Sequence, residues 1–115
     1  MYITGLNKVE KTPMTLEGAK GVQKQVPLSR ENGAPTFSFR VFTIGPGGHT
    51  PFHGHDFEHM NYVISGDGIL VGEDREHKVK EGDFALILPG EKHQFRNASK
   101  TQNLLIICAV PKEYE

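Results

Sequence analysis

His53, His55 and His59 are the residues whose type and spacing could do chemistry in this chain. All three occupy positions of one parity, and in an extended strand residues two and four apart share a face. An extended segment therefore brings His53 and His55 towards one point, and a small bend or a turn into the next strand lets His59 join them. Three imidazoles aimed together point to a transition-metal site, because neutral imidazole suits Zn, Cu, Fe and Ni. The competing reading is a solvated loop, since the stretch from Pro46 to Gly66 is punctuated by Gly and Pro and holds four of the six histidines. His49, directly after Gly47-Gly48, reads as a loop residue, and His77, set among charges, as a surface one.

Short strands are the elements available to position such a cluster. Thirteen Gly and seven Pro in 115 residues impose many turns, and the apolar runs between them are brief and rich in Val, Ile and Phe. That pattern predicts an all-β sandwich or barrel. Val22–Leu28 alternates well enough for a strand, placed at an edge because Pro27 lacks a ladder donor. Phe37–Ile44 is the first strong strand, with Gly45-Pro46-Gly47-Gly48 expected to break it. Its parity puts Phe37, Phe39 and Val41 on one face and Ser38, Arg40 and Phe42 on the other. Arg40 is then either on the outer surface or facing an inner cavity. Strands follow at Met60–Ser65, Ile69–Gly72 and His77–Lys80. Phe84–Leu88 is apolar at every position, as expected of a strand covered on both faces. His93–Asn97 places His93, Phe95 and Asn97 on one face, and Asn97 reads as a turn or strand-end hydrogen-bonder. Asn103–Val110 is the last strand, with Leu104, Ile106, Cys108 and Val110 on one side, and Pro111–Glu115 reads as a polar tail.

Bulk properties narrow the function classes. A chain of this length suits one domain with one core. Thirteen Lys and Arg against 14 Asp and Glu give a formal charge of -1, and no basic stripe marks a nucleic-acid or anionic-membrane partner. No run reaches the roughly 18–20 apolar residues of a membrane span. The first residues lack a signal peptide's apolar core, and the single Cys108 cannot form an internal disulfide, so a cytoplasmic location is expected.

With these segments in place, the chain resembles the cupin superfamily of small double-stranded β-helix, or jelly-roll, barrels. The first cupin motif sets a glycine, a His-x-His pair, a glutamate and a second glycine at fixed separations. Gly47, His53, His55 and Gly66 fall on it, with His59 standing where the glutamate is usual. The second motif runs from Gly through Pro to His and Asn. Gly82, His93 and Asn97 keep its separations, while Pro89 sits one place late. The resemblance implies one domain over residues 1–115 with the barrel at about 22–110. It also implies a four-histidine site of His53, His55, His59 and His93 inside one mouth, and Ile106 and Cys108 facing the metal. Homodimers paired through sheets, with exchange of the N-terminal segment, are a family expectation.

Four neutral imidazoles leave a divalent ion's charge unneutralised, which favours an anionic ligand at any open position. Mn, Fe, Co, Ni, Cu and Zn all suit such donors, whereas Mg and Ca do not. Phe95 offers an apolar wall beside His93. Cys108 reads either as a small buried hydrophobe or as an oxidisable thiol near the metal. Arg40, Phe95, Ile106 and Cys108 are therefore the candidate pocket residues. The expectation is a metalloenzyme of oxygenase, decarboxylase or isomerase type acting on a small oxygen-rich molecule. The alternative is a module that binds a carboxylate or polyol without turning it over.

Overall fold

The computed structural model describes all 115 residues. Its strands are β1 (Thr12–Pro13), β2 (Lys20–Leu28), β3 (Phe37–His49), β4 (His59–Ser65), β5 (Asp67–Val71), β6 (Glu76–Lys80), β7 (Phe84–Ile87), β8 (Gln94–Asn97) and β9 (Leu104–Pro111). Short 3-10 turns occupy Leu6–Lys8, Arg30–Asn32 and Lys112–Tyr114. The strands pair in the order β6-β5-β8-β3-β9-β4-β7, with β2 also along β3 and β1 along β2. This almost all-β sheet curls into a jelly-roll half-barrel.

Period-two patterning builds the interior. Along β9 the residues Leu104, Ile106, Cys108 and Val110 are buried, and the ones between are half-buried. Ile106 pairs with Phe42 on one side and Val63 on the other, so three adjacent strands send apolar side chains inward at one level. Val22, Ile44, Ile87, Phe95 and Leu104 complete this apolar cluster. At about 25 cal/mol per Å² of apolar surface removed from water, these side chains dominate what holds the barrel together.

Strand β3 outruns its expected end. Gly45-Pro46-Gly47-Gly48 does not break it; the strand continues to His49, and the glycines form a bulge that shifts the register against β2. Phe37 to Ile44 pair with β9, and beyond the bulge His49 pairs with Arg96 of β8. A corner of this kind needs a close backbone approach: a Cβ on Gly48 would lie 2.6 Å from the Lys20 carbonyl oxygen. On β2 the register also breaks between Gln25 and Leu28, around Pro27.

Strand β7 is the clearest correction. Ile87 is buried, yet Phe84 is 81% and Leu86 61% exposed, so the strand is covered on one face only. It pairs solely with β4, at one edge of the sheet, and no second layer lies over its outer side. An unbroken apolar run shows what a strand can bury, not whether a covering element exists. The expected polar tail is likewise docked. Tyr114 stacks on Phe57 with ring centroids 3.6 Å apart, and the Glu115 carboxylate lies 2.9 Å from Lys24 Nζ.

Candidate metal centre

Three elements deliver imidazoles to one mouth of the half-barrel. His59 opens β4 and is buried on the inward parity of Asn61 and Val63. His93 immediately precedes β8 and is tied to His53 by two backbone hydrogen bonds of 3.2 Å each. His55 comes from the loop between, whose carbonyl oxygen accepts from Gly90 N at 2.7 Å. The segment His53–His59 is thus a bridge, a loop and a strand start rather than one extended strand. The bend, not strand parity alone, brings His55 and His59 together.

The potential donor atoms of His55, His59 and His93 all lie within 4.8 Å of one another. The His53 ring stands edge-on to His55 with centroids 4.4 Å apart, beside this trio rather than within it. Hydrogen bonds fix which nitrogens are available. His93 Nδ1 lies 3.0 Å from the Glu91 carbonyl oxygen, which can only accept, so Nδ1 carries the proton and Nε2 keeps its lone pair. His59 Nδ1 contacts Cys108 Sγ at 3.4 Å, while His59 Nε2 is buried with no protein partner. Histidines held by one nitrogen and free at the other are the arrangement a metal requires. These donors fit a transition-metal ion.

The same geometry keeps the rings neutral. Burial, reinforced by the charges of His53, His93 and Arg40, lowers the pKa of His55 from 6.5 to about 4. Burial and then Arg40 lower that of His59 to about 3. Burial lowers His93 too, opposed by its hydrogen bond to Glu91. A cluster of neutral imidazoles presents lone pairs instead of protons to a cation.

Arg40 turns inward. On β3, β9 and β4, Arg40, Cys108 and Asn61 stand abreast in register. Arg40 Nη2 donates to Cys108 Sγ at 2.9 Å, and burial pushes the Cys108 thiol's pKa up against the opposing pull of Arg40. Arg40, Cys108 and Phe95 line a cavity of about 110 Å³ together with the histidines. Ile106 does not line it; one level deeper, fully buried, it belongs to the apolar cluster beneath. His49 points away from the cluster, taking contacts with Thr50 and Gln94. Asn97 bonds the Ile44 and Gln102 carbonyls and accepts from Ser99 N.

Asn61, Phe57 and Glu115 are site residues that the pattern of histidines did not reveal. Asn61 shares parity with His59, a signal present in the sequence. Phe57 stacks 5.2 Å from both His55 and His59, and Glu115 Oε2 lies 3.6 Å from Arg40 Nη1. Those contacts depend on how the loop and the last turn fold back, which no local spacing encodes.

Residues 40–110 match the Cupin domain model, and the chain belongs to the cupin family. Its structure is similar to that of the polyketide cyclase RemF from Streptomyces resistomycificus, with a TM-score of 0.90 and 29% identity over 96% of this chain and 79% of that one. A cupin-2 domain protein from Rhodospirillum rubrum aligns with a TM-score of 0.83 and 25% identity, over 96% of this chain and 74% of that one. A predicted oxalate decarboxylase from Thermotoga maritima shares the fold, with a TM-score of 0.75 and 23% identity over 90% of this chain and 91% of that one. No curated protein matches the chain.

Proposed function

We propose that this cupin is a metalloenzyme acting on a small oxygen-rich molecule, a carboxylate or polyol, through one divalent transition-metal ion held by His53, His55, His59 and His93. The observation that carries the reading is the convergence of His55, His59 and His93 within 4.8 Å, with His93 Nδ1 already engaged elsewhere. His53 is the fourth ligand in this reading, one ring away at its edge-on contact with His55. The bound ion supplies Lewis acidity or redox capacity at positions left open to the cavity. Mn, Fe, Co, Ni, Cu and Zn are all compatible with imidazole donors. The likeness to a polyketide cyclase at 29% identity supports catalysis in general terms, among oxygenase, decarboxylase and isomerase chemistries.

One observation favours a second reading, a binding module without turnover. No Asp or Glu lines the cavity, so beside the histidines only Cys108 and Arg40 are ionisable there. General acid–base work would have no dedicated carboxylate.

The protein also acts, in our reading, as a homodimer. Phe39 of β3, Met60 of β4 and Phe84 and Leu86 of β7 are 42%, 49%, 81% and 61% exposed on one side of the sheet, an apolar band suited to a second copy. Elemental analysis of protein purified without added metal, repeated on His59→Ala, tests the metal site. Near-stoichiometric transition metal lost in the variant is expected; metal-free wild-type protein that binds none on titration sinks the reading. Dioxygen uptake and turnover on the Fe- or Mn-loaded protein then separate enzyme from binding module.

A further inference from the structure

The cavity beside the histidines is asymmetric in charge. Arg40 contributes a guanidinium, and no acidic side chain lines the space. A divalent ion held by neutral imidazoles would add further positive charge that nothing in the lining offsets. Glu115 is the nearest carboxylate to Arg40, yet Lys24 holds it more closely, at 2.9 Å against 3.6 Å. The guanidinium's charge is therefore only partly compensated.

Its hydrogen bonding is also incomplete. Nη2 donates to Cys108 Sγ at 2.9 Å, but Nε is buried and has no acceptor in the protein. Across the row, Asn61 donates from Nδ2 to the Ile107 carbonyl at 3.4 Å, while its Oδ1 is buried without a donor. An unmet buried polar group typically costs about 1–3 kcal/mol. Arg40 and Asn61 both line one cavity together with His59, whose Nε2 is likewise without a partner. Size narrows the occupant: about 110 Å³ holds roughly four water-sized groups, far less than the about 300–1,000 Å³ of pockets for larger ligands.

We propose that the cavity is a small-carboxylate site, in which Arg40 pairs with the acid of a glycolate-sized 2-oxygenated acid and Asn61 accepts from its neighbouring hydroxyl. This rests on the metal reading above and chooses the carboxylate over the polyol. A neutral polyol would leave the guanidinium with only the Glu115 carboxylate that Lys24 shares, whereas an acid supplies charge to Arg40 and the metal position together.

Calorimetric titration of the metal-loaded full chain with glycolate and with its neutral analogue glycolamide tests the proposal, after the metal content of each preparation is measured. Glycolate is expected to bind at least about tenfold more tightly, the worth of one charge-assisted hydrogen bond. Arg40→Met should keep its metal and lose most of that preference, and Arg40→Lys should retain part of it. Equal binding of acid and amide by metal-loaded wild-type protein overturns this inference and leaves the metal reading intact. A preference that survives undiminished in Arg40→Met overturns the role of Arg40. Wild-type protein that takes up no metal overturns both readings. Should Arg40→Met fail to fold, Glu115→Gln decides: removing the competing carboxylate should tighten glycolate binding, and unchanged or weaker binding counts against the proposal.

Discussion

Strands β3, β9 and β4 carry opposite chemistry on their two sides. Towards the interior, Arg40, Cys108 and Asn61 stand abreast; one residue along, Phe39, Ala109 and Met60 stand abreast on the outside, with Leu86 of β7 beside them. A sheet with one wet face ordinarily turns apolar residues in and polar residues out. Here the order is reversed at one end of the barrel and normal at the other, where Phe42, Ile106 and Val63 fill the interior. The reversal teaches that stability and function occupy different levels of the same strands. The deep level holds the barrel closed; under the proposed function the upper inner level binds, and the outer apolar band is the surface offered to a second copy.

The sharpest test of that division compares Ile106→Ala with Met60→Ala. Ile106 is fully buried, so truncation leaves a cavity and should cost about 2–5 kcal/mol. Met60 is half-exposed, and its truncation should change the stability of dilute protein by no more than about 0.5 kcal/mol. Urea denaturation midpoints at constant slope read both. Equal losses would erase the distinction between the inner and outer faces.

Next in size is the outer band itself. Replacing both Phe84 and Leu86 by Lys should weaken self-association by at least about thirtyfold, near 2 kcal/mol. Sedimentation velocity across a concentration series measures it, with circular dichroism confirming the fold. Wild-type protein that stays monomeric at high concentration would remove the dimer and leave the exposed aromatics unexplained.

Much of the upper level was legible in the sequence, because it rests on parity. His59 and Asn61, two apart, must share a face once β4 exists, as must Arg40 and Phe42 on β3. Parity alone could not say which face of β3 points inward; that was settled by the pairing with Cys108 on β9. His55 escaped the parity rule because it sits in a loop whose path is fixed by the bond from Gly90. The depth of Ile106 against Cys108 was equally invisible, since both share one alternation and only the curl of the sheet separates core from cavity. The exposure of β7 and the docking of Tyr114 depend on distant elements, about which local composition says nothing.

The inner level should also set the acid stability of the metal-free protein. In the folded chain His55 and His59 titrate at about 4 and about 3, whereas in the unfolded chain they return towards 6.5. Between those limits the unfolded chain binds more protons, so stability rises with pH in this window. Acidifying from pH 6.5 should therefore destabilise the fold progressively, by at most about 1.4 kcal/mol per pH unit for each histidine kept neutral, and the loss should level off below about pH 3. Melting temperatures of wild-type and His59→Asn protein across that range make the comparison. A variant with the same pH slope as the parent would mean that His59 is not held neutral by its surroundings.

The smallest effect expected is that of Cys108→Ser, and its contrast with Cys108→Val is the most discriminating for the row of Arg40, Cys108 and Asn61. The Cys108 sulfur accepts from Arg40 Nη2 and meets His59 Nδ1, so it links the guanidinium to a candidate metal ligand. A hydroxyl can accept from both groups, but it is shorter and forms shorter bonds, so His59 must move by a few tenths of an ångström. Cys108→Ser should therefore weaken metal binding by less than about tenfold. Cys108→Val fills similar space with no acceptor and leaves both His59 Nδ1 and Arg40 Nη2 unpaired, which should cost about 10–100-fold, as for other groups that orient ligands. Competition with a chromophoric chelator measures the two. If valine and serine behave alike, Cys108 acts by packing alone, and the inner row holds His59 by shape rather than by hydrogen bonding.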